Sequence, residues 1–300
     1  MPTLTRQQSV LLILLTVVWG LNWPVMKLGV TDYPPLSFRA LSMWIGLPVL
    51  GAALWALKVP FKLPIGPGGA HWRELLTLTL TNMVVWHVCI ILAVSALSSG
   101  RAAILGYTMP IFSALLGALL FATALNRRGW LGVGAAALGV GVLLWHEFTA
   151  LRGQPHAVAL ALVAAAVWAL GTQLLRRTTL PAATLTLSFW MTALTAVVMS
   201  VLAWWFERPA SGVWPPMTAT AFWAMLYNGV LIFGFAHATW FFLARSLPPI
   251  ASTLSVMMIP VLGVFSGAIW LNERLFWQDW VAVVLMAVSI ASVLWPRRQP

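Results

Sequence analysis

Acidic residues are scarce in this chain of 300 residues, with six Asp and Glu against 17 Lys and Arg. None of the six lies deep within an apolar stretch, so a carboxylate proton relay inside a membrane has no candidate. Cysteine is scarcer still. The single Cys89 excludes a disulfide framework, a thiol pair and a zinc cluster, and reads as a small apolar filler. ATP-binding motifs and zinc-binding helix signatures are missing too. The stretch GVGAAALG at 132–139 has the glycines of a nucleotide fingerprint but neither the strand nor the following acid that would give one meaning. No cofactor, bound metal or catalytic residue is expected.

Apolar residues make up the balance. At 61% hydrophobic, 8% charged and a mean hydropathy of +0.91, the chain carries too much apolar surface for one water-soluble core, and a polytopic protein in a lipid bilayer is expected. The breaks in hydropathy favour ten spans, at 8–29, 35–57, 73–95, 99–122, 128–146, 155–176, 182–206, 217–243, 248–271 and 278–295. The first span follows Arg6, but its length, two tryptophans and lack of a small-residue cleavage site predict an uncleaved helix rather than a signal peptide.

A net charge of +11 could suggest a nucleic-acid partner, but its placement says otherwise. With the N-terminus inside, eleven positive charges and only Glu74 fall on the cytoplasmic side, whereas six positives, Lys27 and Arg39 among them, fall opposite with five acids. This is the positive-inside pattern. It predicts no nucleic-acid partner and a multi-pass inner-membrane protein with both termini cytoplasmic.

The segment 95–145 aligns without gaps on 245–295, an offset of 150. Leu97 falls on Leu247, Pro110 on Pro260, Gly117 on Gly267, Trp130 on Trp280 and Trp145 on Trp295. A mid-helix proline and two tryptophans in constant register are unlike chance matches between apolar helices. Five spans per half is an odd number, so the second half enters the membrane in the opposite sense. The expected fold is therefore an all-α integral membrane protein, ten transmembrane helices as two inverted five-helix repeats, residues 1–150 and 151–300. That architecture belongs to secondary transporters, whose substrate sits near the midplane between the halves.

Several of these residues also resemble a known family. They are the Trp19–Gly20 pair followed by Asn22, PPLSFRA at 34–40 with Arg39, Pro110 and Pro260, and LNERLFWQDW at 271–280 with Glu273. Over nearly the whole chain they resemble the ten-helix EamA-type members of the drug/metabolite transporter superfamily, most closely the YddG-type exporters of aromatic amino acids. Export, rather than import, is what the resemblance implies. The first half departs from the pattern in having Thr123 where Glu273 predicts an acid.

Trp19, Asn22, Trp23 and Met26 follow i, i+3, i+4, i+7 spacing and share one helix face. An amide that deep needs a partner, and Pro24 frees the carbonyl of Gly20 to accept a bond. Either the face packs against neighbours or it walls a cavity. The equivalent helix of the second half carries Trp168 and Gln173. Trp19 and Trp168, from pseudo-equivalent helices, are expected to sandwich an aromatic ring. The same faces would attract a cation. His87 and His237, also 150 apart, are either proton-binding groups or neutral histidines bonded between helices. Asn82 and Trp86 lie near the first of them. Phe233, Trp240 and Phe241 share a stripe with the second, and Tyr107 in the fourth span completes the candidate substrate-binding set. Pro24, Pro110 and Pro260 are candidate hinges, with a static kink as the alternative. The small residues of 130–145 predict close helix packing or an oligomer interface, leaving the oligomeric state open.

With no intramembrane ion-pair partner in view, the charged groups of a substrate are expected to meet Asn22, Asn82, Gln173 and freed carbonyls, or to remain partly hydrated. The expected function is export of aromatic or other apolar amino acids and related metabolites by alternating access, as a facilitator or with weak coupling through histidine. The alternatives are an exporter of cationic aromatic drugs such as quaternary ammonium compounds, an intramembrane enzyme built on the two histidines, and a non-transporting scaffold.

Overall fold

The computed structural model describes residues 5–63, 70–121, 127–149, 153–246 and 258–294. Within them the chain forms ten successive helices and no strand. Helix α1 (Arg6–Asp32) starts in a capping box, Thr5 Oγ1 accepting from Gln8 N and Gln8 Oε1 accepting from Thr5 N. It continues unbroken through Pro24 and stops at Tyr33–Pro34. Pro35 cannot extend a helix from within but suits the first position of α2 (Pro35–Ala56). Then follow α3 (His71–Ala96), α4 (Ser99–Leu120), α5 (Arg127–Thr149), α6 (Pro155–Arg176), α7 (Thr184–Glu207) and α8 (Ala219–Ser246). The described chain ends with α9 (Met258–Leu271) and α10 (Trp277–Leu294).

Seven of these, α1 to α4 and α6 to α8, are long and apolar enough to cross a membrane, and α9 and α10 include shorter apolar helices. The bounds agree with the spans expected from hydropathy to within a few residues. The first part of the ninth span and Thr123 lie outside the described residues.

The packing pattern repeats when each helix is exchanged for the one five places on. Helix α1 packs on α9 and on α8, while its counterpart α6 packs on α4 and on α3; α2 packs on α8, and α7 on α3. The self-paired contacts α2 with α7, α4 with α9 and α5 with α10 lie across the relation that exchanges the halves. Because each half holds five helices, counterparts run in opposite directions. The glycine-rich α5 is used for close packing on α10: Gly139 faces Leu285, and Ser289 Oγ donates to the carbonyl of Gly132. Tryptophans such as Trp55, Trp130 and Trp205 point outward, where a bilayer would surround them.

Two irregularities sit at equivalent places. In α3, Leu80–Val84 forms a π-helical turn, and in α8 Asn228–Ala236 does the same; shifted by 150, the first range falls inside the second. A π turn holds an extra residue relative to an α-helix and favours functional positions. Polar side chains enter the ladder here: Asn82 Nδ2 donates to Leu78 O, Asn228 Nδ2 to Ala224 O, and His237 Nδ1 to Ile232 O. Helix α4 is broken at Tyr107–Thr108, so Pro110 sits in the first turn of its second segment, Met109–Leu120. Pro110 thus opens a new segment, where its missing N–H costs nothing, instead of kinking a continuous helix.

Candidate functional site

A pocket, partly open, lies where α1, α2, α3, α4, α6 and α8 converge. Helix α1 contributes Trp19, Asn22, Trp23 and Met26, the whole stripe expected from its spacing. Trp86, His87 and Ile90 come from α3, Tyr107 and Met109 from α4, Trp168 from α6, and Ile232 and His237 from α8. The fit of Trp23 depends on glycine at two places. A Cβ on Gly106 would stand 2.8 Å from its ring and one on Gly263 3.0 Å, so α4 and α9 leave a slot for the indole.

A second cavity shares Tyr107, Met109 and Trp168 with the first and continues along α4 and α6. Gln173, Trp240 and Pro110 line this one, together with Ser113, Thr172 and Arg176. Gln173 Nε2 donates to Ser113 Oγ at 2.9 Å, bridging α6 and α4. Two candidates line neither cavity. Asn82 is fully buried against Gly171, its Oδ1 without a partner among the described residues. Phe233 is buried behind His237, stacked on it at 5.2 Å with the planes 10° apart. Pro24 lies buried within α1, and Pro260 is buried near the start of the described part of α9.

Aromatic rings meet at Trp168. Its centroid is 5.0 Å from Trp86, 5.8 Å from His237 and 6.4 Å from Trp19. The Trp19 and Trp168 planes cross at 77°, an edge-to-face contact. In this structure the two rings touch each other edge to face, with no parallel-faced slot between them. Trp19 also leans on Trp240 at 5.6 Å and on His237 at 5.9 Å.

Polar atoms in the pocket are few and under-used. Asn22 is 6% exposed and its Oδ1 accepts nothing among the described residues; both ring nitrogens of His87 are also unpartnered. The residue that the charge count misplaced is Arg39. Counted with the rim charges because it stands only one turn into α2, it is 1% exposed and lines the pocket. Its Nη1 donates to Asn228 Oδ1 at 3.1 Å, its Nη2 to Met26 Sδ, and its guanidinium carbon stands 5.6 Å from the Phe233 centroid. The expectation that only neutral groups would meet a charged substrate is corrected by this cation, which the folding of α2 against α1 and α8 carries inward. The expected span 35–57 already contained it, so the intramembrane-charge rule, applied to that span, singles it out.

The two ends of the bundle differ. At the end where α1 finishes, Lys27 Nζ donates to the carbonyls of Val94 and Ser95, both at 3.0 Å, at the C-terminus of α3. Asn272, in the left-handed region at φ 50°, turns the chain after α9 so that Glu273 reaches the N-terminus of α4. There its carboxylate accepts from Ser99 N at 2.7 Å, Ser99 Oγ at 2.9 Å and Gly100 N at 3.2 Å. Arg101 and Asp279 pair at 2.8 Å, joining α4 to α10. Glu207 caps α2 in the same way, accepting from Leu36 N and Ser37 N. At the opposite end the second cavity extends to Gln173 and Arg176.

The comparisons with known proteins agree with this architecture. A solved crystal structure superimposes with a TM-score of 0.67 over 94% of this chain and 96% of its own, at 21% identity, a likeness of fold. The chain is 26% identical over 269 residues, 88% of each protein, to the uncharacterized transporter YoaV of Bacillus subtilis (strain 168). It is 26% identical over 297 residues to a protein of Escherichia coli (strain K12) named "Probable amino-acid metabolite efflux pump", covering 96% of this chain and 94% of that one. The model of the EamA-like transporter family matches residues 8–145 and again 156–295, once in each half. With both halves matched, the chain belongs to the EamA-like transporter family.

Proposed function

We propose that the protein is a secondary transporter that exports aromatic or other apolar amino acids and related metabolites across the inner membrane by alternating access. The observation that carries the reading is the aromatic-walled pocket between the halves, centred on Trp168 and holding few polar atoms. The efflux role in the name of the Escherichia coli relative supports export of amino-acid metabolites. In this reading residues 1–150 and 151–300 act as the two repeat units, and Trp19, Asn22, Trp23, Trp86, His87, Tyr107, Trp168 and His237 contact the substrate. Gln173 and Trp240 line its path, while Asn82 and Phe233 support the wall from behind. The positive-inside pattern places both termini in the cytoplasm, which would make the second cavity the cytoplasmic approach and the Lys27, Glu273 and Asp279 contacts the closed outer gate. Pro110 and Pro260 are the proposed bending points of α4 and α9, so Pro110→Ala should slow exchange; an unchanged rate would leave only a static role.

Export of cationic aromatic drugs is the weaker reading, because the pocket already contains the Arg39 guanidinium and, among the described residues, no carboxylate to balance a second cation. Flux of radiolabelled phenylalanine in proteoliposomes, with and without an imposed pH gradient, tests the proposal. Saturable flux without a gradient marks a facilitator. Flux only with a gradient marks proton coupling and brings His87 and His237 forward. No flux in either case overturns the aromatic amino-acid assignment.

A further inference from the structure

We propose that Arg39 recognises the carboxylate of the cargo, so that the central pocket selects molecules that carry one. The proposal deepens the amino-acid reading above and rests on it for the aromatic part of the cargo, though not for its charge. A guanidinium offers five N–H donors in a fixed fork suited to a planar carboxylate. In Arg39 one donor goes to the amide oxygen of Asn228 and one to a thioether, a weak acceptor. Nε has no partner, and no carboxylate pairs with the group among the described residues. A buried cation without a counter-ion is costly, and a purely structural role at this position would be met with less cost by an apolar side chain. The ring of Phe233 and the oxygen of Asn228 hold the guanidinium in place without neutralising it, which preserves its charge for an arriving anion.

The surroundings match the rest of an α-amino acid. Asn22 lies one helical turn before Met26, roughly 6 Å along α1, and its Oδ1 is an unpartnered acceptor in the same pocket. It suits an ammonium group beside the carboxylate. Beyond both lies the aromatic wall of Trp19, Trp86 and Trp168. A donor fork, a lone acceptor a turn away and an apolar face form the complement of a carboxylate, an ammonium and a large apolar side chain.

The test compares two fragments of phenylalanine, 3-phenylpropionate (carboxylate, no amine) and 2-phenylethylamine (amine, no carboxylate), as competitors of phenylalanine flux in proteoliposomes. The expected result is competition by 3-phenylpropionate at a concentration about tenfold or more below that needed of 2-phenylethylamine, the scale of one charge-assisted hydrogen bond. Arg39→Gln should abolish that preference, and Arg39→Lys should retain part of it. Equal competition by the two fragments in the wild type, or a preference surviving in Arg39→Gln, overturns the proposal while leaving the aromatic reading in place. Should Arg39→Gln fail to fold, the wild-type comparison decides alone. If phenylalanine is not carried at all, the aromatic reading fails separately, and thermal stabilisation of the purified wild type by 3-phenylpropionate, leucine or acetate decides: stabilisation by carboxylates and not by 2-phenylethylamine upholds the role of Arg39, and stabilisation by none of them overturns it.

Discussion

His87 and His237 face each other across the junction of the two halves, their ring centroids 5.1 Å apart. They occupy equivalent positions 150 residues apart, but their bonding differs: His237 Nδ1 donates to Ile232 O at 2.9 Å, and neither nitrogen of His87 has a partner among the described residues. Replacing a buried polar group that makes no hydrogen bond by an apolar one of similar volume costs little. His87→Leu should therefore fold with a stability within about 1.5 kcal/mol of wild type, measured by thermal unfolding in detergent, while substrate flux falls because the imidazole lines the pocket. A large loss of stability would assign His87 to the core rather than to transport.

Trp168 touches Trp86, Trp19, His237 and Phe241, and lines both cavities. Trp168→Ala should weaken transport strongly. Its yield in the membrane should stay near that of wild type, because insertion depends on the apolarity of the span as a whole. Asn22→Ala should do the same with a smaller effect. Wild-type flux in both variants would remove these residues from the substrate path.

Gly171 lets α6 lie directly on the π turn of α3. A Cβ there would fall 2.6 Å from Asn82 Nδ2 and 2.9 Å from the Asn82 backbone nitrogen, which a side-chain rotation cannot relieve. Gly171→Ala should lower stability by about 1–3 kcal/mol, read as a reduced unfolding temperature in the purified protein. An unchanged temperature would mean that α3 and α6 can separate at no cost.

Glu273 holds the N-terminus of α4 through three hydrogen bonds to Ser99 and Gly100. Glu273→Gln removes the negative charge from that helix end and leaves one acceptor oxygen in place of two. The closed end should loosen. In a Cys89→Ser background with Ile90→Cys as reporter, a membrane-impermeant thiol reagent applied from that end should label the variant faster than its Glu273 parent. Equal labelling rates would mean that Lys27 and the Arg101–Asp279 pair hold the end shut without it.

The ten helices and the relation between the halves were legible in the sequence because both are one-dimensional signals: apolar runs of span length, and a proline and tryptophans repeated in register. The α1 wall was legible for the same reason, since Trp19, Asn22, Trp23 and Met26 obey a helical period that survives folding. What escaped depends on which faces meet. Arg39 stands one turn from the start of α2, where a long side chain can also reach the rim; that it turns inward depends on Met26 of α1 and on Asn228 and Phe233 of α8, which enclose it. The π turns escaped because a single extra residue does not alter the hydropathy of a span. The edge-to-face angle of Trp19 and Trp168 was not legible either, because spacing places two rings near each other without fixing the angle between their planes.

In the proposed transport cycle the guanidinium of Arg39, which has no carboxylate partner among the described residues, would also guard against leakage. A pathway that opens to each side in turn exposes its midpoint to water on every cycle, and a proton or sodium ion slipping through would discharge an energised membrane. A cation that comes within 4 Å of a fixed positive charge at an effective dielectric of 20 meets a barrier of about 4 kcal/mol, depleting it roughly a thousandfold. Arg39, held in the wall by Asn228 and Phe233, would set that barrier whenever no carboxylate is bound to it. The membrane voltage would thereby be insulated from cation leakage between one cargo molecule and the next.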